Sequence, residues 1–115
     1  MDVQVFGVRG SQATRAAQRF FKERRMNVHN VDLNERPMSR GEITRFIQKF
    51  GLNDLLDLNG KPYEDSGLAF MRVSDDGLLE RIADEPRLLK LPLVRCGPRL
   101  AVGHDEAGWR AMLAQ

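Results

Sequence analysis

One cysteine, one tryptophan and one tyrosine stand among 115 residues, and aromatic side chains make up only 7% of the chain. A single cysteine, Cys96, excludes an internal disulfide and leaves no Cys/His cluster for structural zinc. The two histidines, His29 and His104, are far apart and lack a third ligand at suitable spacing, so neither a metal nor another cofactor is expected. No apolar run approaches the roughly 20 residues that a membrane span needs, which excludes a membrane partner of that kind. The opening MDVQVFGVRG lacks the basic-then-apolar layout of a secretory signal, and a reducing cytoplasm is the expected location.

A strong excess of one charge is also missing. The formal net charge is +2, with 30% charged residues. The sign is uneven, however: residues 1–51 hold ten Lys/Arg against five Asp/Glu, and 52–115 hold eight against eleven. The basic half could face an anionic partner, or its helices could simply carry solvated faces. Direct nucleic-acid binding is not expected, because neither a recognisable motif nor interleaved aromatics accompany the modest excess.

With 42% hydrophobic residues the chain can bury a real core, and one domain over residues 1–115 is expected. Asp2–Gly7 alternates, with Val3 and Val5 opposed to Phe6, and reads as a strand. Ser11 can cap a helix running to about Arg25, with Ala13, Ala16, Ala17, Phe20 and Phe21 on its apolar stripe. Asn27–Leu33 is a second strand, which completes a βαβ unit with parallel strands. Ser39-Arg40-Gly41-Glu42 matches a capping box, opening a helix that buries Ile43, Phe46, Ile47 and Phe50 and stops at Gly51.

Leu52–Leu58 reads as a short helical turn, broken by Asn59-Gly60-Lys61-Pro62. Ser74 caps another helix with Leu78, Leu79, Ile82 and Ala83 as its core face. Leu93–Cys96, the Gly97-Pro98 turn and Arg99–Val102 form a hairpin, and Asp105 opens a last helix carrying Trp109, Met112 and Leu113. The fold class is therefore α/β: βαβ, a helical insertion over about 38–90, then ββα, with a four-stranded mixed sheet.

That order is the thioredoxin-like one, and several motifs sharpen it. Phe6-Gly7-Val8-Arg9-Gly10-Ser11-Gln12-Ala13-Thr14-Arg15-Ala16-Ala17 resembles the Tyr-Gly-x-x-x-Cys-x-x-x-Arg-Lys-Ala opening of the glutaredoxin-linked arsenate reductase and Spx regulator family. Arg36-Pro37-Met38-Ser39-Arg40-Gly41-Glu42-Ile43 is similar to its Pro-Leu-Ser-x-x-Glu-Ile/Leu helix start. Leu55–Tyr63 resembles Leu-Leu-x-x-Arg-Gly-x-x-Tyr, and Glu85–Val94 resembles Asn-Pro-x-Leu-Ile-x-Arg-Pro-Ile-Val. Arg99–Leu113 is similar to the family's Val-Gly-Phe/Tyr ending with its aromatic-anchored helix. The likeness runs nearly the whole chain in order.

The resemblance implies a cysteine thiolate at the strand-to-helix turn, which attacks the oxyanion and later exchanges with glutathione. This chain has Ser11 there, and Thr14 where Spx relatives carry a second cysteine. The family's Arg-Gly falls at Asn59-Gly60, its Arg-Pro at Leu91-Pro92, and the reductases' late arginine at His104. A Cys→Ser exchange alone would explain Ser11 but not Asn59 and Leu91. No catalytic residue is therefore expected, and a non-catalytic interaction or regulatory protein is the favoured function. Spx-like relatives, on this resemblance, act by binding RNA polymerase through surface contacts. The alternative is a divergent thiol or glutathione-dependent oxidoreductase working through Cys96.

Gly10, Ser11, Arg15, Asn59, Leu91 and Pro92 are the candidates for an anion or ligand pocket, including weak glutathione binding. The resemblance makes Pro92 a cis proline beside the reactive turn. The protein partner's surface is expected to combine the Ser11 end of the first helix with Arg15, Arg19 and Arg36, near Lys22, Arg40 and Arg45. Plainer readings stay open at each position: Ser11 as a helix cap, Arg15 as a solvated charge, Pro92 as a structural turn, Cys96 as a small packed hydrophobe.

Overall fold

The computed structural model describes residues 2–114. Its elements run β1 (Asp2–Gly7), α1 (Gln12–Glu23), β2 (Asn27–Asp32), α2 (Arg40–Phe50), α3 (Leu52–Leu55), α4 (Lys61–Ser66), α5 (Asp75–Asp84), β3 (Leu93–Cys96), β4 (Arg99–Val102) and α6 (Glu106–Leu113), with short 3-10 turns at Leu68–Phe70 and Pro86–Leu88. The sheet order is β2-β1-β3-β4. β1 and β2 are parallel, pairing Asp2 with Asn27 through Gly7 with Asp32, whereas β3 runs antiparallel to both β1 and β4. This is the thioredoxin-like α/β arrangement that the strand and helix order predicts.

Alternation along β1 divides the interior in two. Val3 and Val5 face α1 and α6, where Phe20, Phe21 and Trp109 meet with ring centroids 5.0–6.2 Å apart. Phe6 faces the helical block instead and meets Phe46 edge-on at 6.4 Å, among Val8, Leu33, Ile43, Leu55 and Leu88. Both faces of β1 are thus buried, which is what a central strand between two helical layers requires.

Serine caps start three of the helices: Ser11 accepts from the Thr14 N–H, Ser39 from Glu42, and Ser74 from Gly77. The box at Ser39 is reciprocal, because the Glu42 carboxylate also accepts from the Ser39 N–H at 2.8 Å.

Several boundaries differ from the expectation. α1 ends at Glu23, two residues early, because Arg24 caps it and Arg25 turns into the left-handed region at φ 59°. β2 ends at Asp32, whose carbonyl accepts from Glu35 and Arg36 and bends the chain away. The turn after Gly51 is helical only to Leu55, since Leu56 becomes extended and bridges to Leu89. Asn59–Pro62 does not simply break the chain: Pro62 stands in the first turn of α4, a helix not anticipated. On α5, Ile82 is buried and Leu78 and Leu79 are half-buried, but Ala83 is exposed.

Candidate functional site

The turn from β1 into α1 is tied together by backbone and cap. The Ser11 N–H donates to the Val8 carbonyl at 3.1 Å, and the Ser11 carbonyl accepts from the Arg15 N–H at 3.1 Å. The Ser11 Oγ accepts from the Thr14 N–H at 3.1 Å, so the hydroxyl is engaged as a cap. Thr14 itself is only 2% exposed, and its Oγ1 has no hydrogen-bond partner. It lies against Gly7, where a Cβ would overlap the Thr14 side chain; glycine there lets α1 approach the end of β1.

Gly10 is exposed, and a Cβ on it would meet nothing. Arg15 is exposed as well, and its guanidinium donates back to the Arg9 carbonyl at 2.6 Å, bracing the same turn. Arg9 in turn reaches Asp32 at 3.6 Å and Glu35 at 3.9 Å, both weak solvent-screened contacts.

Pro92 follows a cis peptide bond at Leu91 and leads into β3, whose Leu93 pairs with Phe6. It therefore sits at the same end of the sheet as the β1–α1 turn. Its carbonyl accepts from the Gly103 N–H at 2.9 Å, which fixes the chain leaving β4. Leu91 is half-buried against the Phe6–Phe46 core. Asn59 occupies an exposed turn closed by the Gly60 N–H on the Asp57 carbonyl at 3.0 Å. The segments bearing these two residues are paired, through Lys90 N–H to Leu55 O at 2.7 Å and Asp57 N–H to Leu88 O at 2.8 Å. Neither residue offers a positive charge, and no hydrogen bond links either to Ser11.

The expected cationic surface is divided. Arg36 grips Glu42 with both terminal guanidinium nitrogens, at 2.9 and 3.2 Å, and also donates to the Pro37 carbonyl. That fork, together with the Ser39 N–H and hydroxyl, outweighs partial burial and lowers the Glu42 pKa to about 2, while the carboxylate raises that of Arg36. Arg36 is therefore committed within the fold and does not join Arg15 and Arg19 as a free cation. Arg40 is likewise paired, with Asp76 at 2.5 Å.

Arg15 and Arg19 do come together, flanking Ala16 beside Gln12 and His104 in one shallow depression. A second depression, with Gln18 and Lys22 on its helix side, is closed by Met26, Val28 and Asn30 on the strand side. Sequence reasoning missed that strand wall, because nothing in residues 26–30 states that β2 lies at the sheet edge. His104 stacks on Trp109 at 5.1 Å, and His29 lies on β2, 3.6 Å from Asp2. Among the described residues no group of three His, Cys, Asp or Glu side chains converges as metal ligands would.

The ArsC family model matches residues 6–112. This chain belongs to the ArsC family. It is similar to an arsenate reductase of Neisseria meningitidis, 27% identical over 97% of this chain and 98% of that one. It is also 27% identical to the global transcriptional regulator Spx 2 of Lactococcus lactis, over 76% of this chain and 72% of that protein. Among solved structures, an arsenate reductase from Vibrio cholerae superposes with TM-score 0.77 at 19% identity, covering 100% of this chain and 98% of the other. A putative arsenate reductase from Yersinia pestis gives 0.80 at 20% identity, covering 99% and 100%. These likenesses carry the ArsC fold.

Within this ArsC scaffold the sole thiol is remote from the α1 turn. Cys96 is the last residue of β3, 2% exposed, and packs with Val94, Ala101 and Trp109 on the side of the sheet that α1 and α6 cover. No helix among the described residues is long and apolar enough to cross a membrane.

Proposed function

We propose that this ArsC-family protein is a non-catalytic interaction or regulatory protein that has lost thiol-dependent arsenate reduction. The observation that carries this reading is the state of position 11: a serine whose Oγ caps α1 by accepting from the Thr14 N–H. A hydroxyl so placed has no base hydrogen-bonded to it, and it cannot form the mixed disulfide through which glutathione would return electrons. The buried Cys96 offers no substitute, since attack on an oxyanion or exchange with glutathione needs an accessible thiolate. Asn59 and Leu91 supply no charge to hold an oxyanion. A protein partner fits what remains, a retained scaffold with exposed cations at Arg15 and Arg19, and relatives named as global transcriptional regulators support a regulatory role.

An arsenate reductase assay with glutathione and glutaredoxin tests this directly. No turnover above background is expected, and Ser11→Cys alone should not bring full activity. Turnover that disappears in Cys96→Ser would overturn the reading in favour of a divergent oxidoreductase. Alkylation gives a second check: Cys96 should resist iodoacetamide in the folded chain and react on unfolding.

A further inference from the structure

The geometry points to a peptide-docking site on the outer edge of β2, where an acidic, extended segment of a partner protein adds as a fifth strand. The site rests on the non-catalytic reading above and names the partner's chemistry.

Among the described residues β2 is an outermost strand of the sheet and pairs only with β1. Its register with β1 is continuous from Asn27 to Asp32, so no bulge twists the edge away. Residues 27–32 hold neither proline nor lysine, two of the devices that commonly blunt an exposed edge. The Leu33 N–H donates to the Gly7 carbonyl at 2.9 Å. By the alternation of a strand, the N–H and C=O groups of His29 and Val31 then face β1, while those of Val28 and Asn30 face outward. The outward groups have no partner among the described residues, and they sit where an incoming strand would continue the ladder.

The groove beside that edge carries the sign of the partner. Met26, Val28 and Asn30 are alternate residues and form the strand wall. Across from them Arg15, Arg19 and Lys22 stand at i, i+4 and i+7 on one stripe of α1. Among the described residues neither Arg19 nor Lys22 is ion-paired, and no acid lines the groove. A strand laid along β2 would project every second side chain over this stripe, where Glu or Asp finds three cations and Val or Thr covers Val28. A second copy of this chain is a poor occupant, because pairing β2 with β2 would bring the cationic stripes towards each other. Nucleic acid could meet the charges but cannot continue a backbone ladder. An acidic peptide satisfies both the edge and the charge.

The test uses the intact protein and a capped peptide that alternates Glu with Val and Thr. Binding is expected, with the Val28 and Asn30 amide protons gaining protection from exchange. The same peptide N-methylated at alternate backbone nitrogens should bind at least about tenfold more weakly, as should the double variant Arg19→Glu/Lys22→Glu. Replacing Glu by Lys in the peptide should abolish binding. The proposal is overturned if the N-methylated peptide binds as well as its parent, if an oligothymidylate of equal charge binds as tightly, or if the acidic peptide fails at millimolar concentration. Because the N-methyl comparison leaves the protein unaltered, it stands even if the double variant folds poorly. Arsenate turnover would overturn the non-catalytic reading without touching these outcomes, so the two failures are distinguishable.

Discussion

Ser11 and Ser39 each cap a helix that follows a parallel strand, but their surroundings differ in how the helix start is closed. At Ser39 the helix start is closed: Glu42 returns the cap's hydrogen bond, and Arg36 clamps Glu42 from outside. At Ser11 the start is open: the first turn of α1 holds no acid, and one side-chain hydrogen bond does the capping. A helix start that must receive an anion cannot carry its own carboxylate, because that carboxylate would compete for the same N–H groups and dipole. The open turn leaves the start of α1 with no acid of its own, the condition an anion at that place would need. The closed turn at α2 shows the same residue type held in a reciprocal box.

The contrast can be broken most severely at Gly7. Because a Cβ there overlaps Thr14, Gly7→Ala should destabilise the chain by about 1–3 kcal/mol, read as a lowered Tm or denaturant midpoint. Adding Thr14→Ala should recover only part of that loss, since the Thr14 Cβ itself is among the overlapped atoms. Next in size are the caps. Ser39→Ala should cost about 1–2 kcal/mol, because it dismantles a reciprocal box, and Ser11→Ala nearer about 0.5–1 kcal/mol, because it removes a single bond. Equal losses would erase the distinction drawn between the two starts.

Acid sharpens it further. With its pKa lowered from 4.5 to about 2 by the Arg36 fork, Glu42 stabilises the folded chain fully above about pH 4.5. That stabilisation should fade as the pH falls from 4.5 towards 2, as the folded carboxylate takes up its proton. In Glu42→Gln this part of the acid dependence should vanish, and urea melts across the window would show it. The smallest effect belongs to Arg15→Ala, expected within about 0.5 kcal/mol because the side chain is exposed and its one hydrogen bond goes to a solvated carbonyl.

The layered fold was legible because its signals are local. Val3 and Val5 against Phe6 encode two buried faces in four residues, and Ser11, Ser39 and Ser74 mark helix starts by chemistry that works over three residues. α4 escaped because Asn59-Gly60-Lys61-Pro62 reads equally as a turn and as a helix entry with proline in its first turn. The candidate site was half legible. Ser11, Asn59 and Leu91 are visible in the chain, but the fork that ties the exposed Arg36 to Glu42 is not, since it forms only once the chain has turned at Pro37 into α2. The groove against β2 was illegible altogether, because edge position is a property of the sheet and not of any one strand.

Trp109 is the chain's only tryptophan, buried against Phe20 and Phe21 and roofed by His104. Its emission accordingly reports on one side of the sheet alone. The layer around Phe6 and Phe46 holds Tyr63 but no tryptophan, so loosening of the helical insertion would leave the emission excited selectively from tryptophan unchanged while circular dichroism fell. If the two optical signals trace a single transition in urea, both layers melt together; a gap between them would measure how independently the insertion is held.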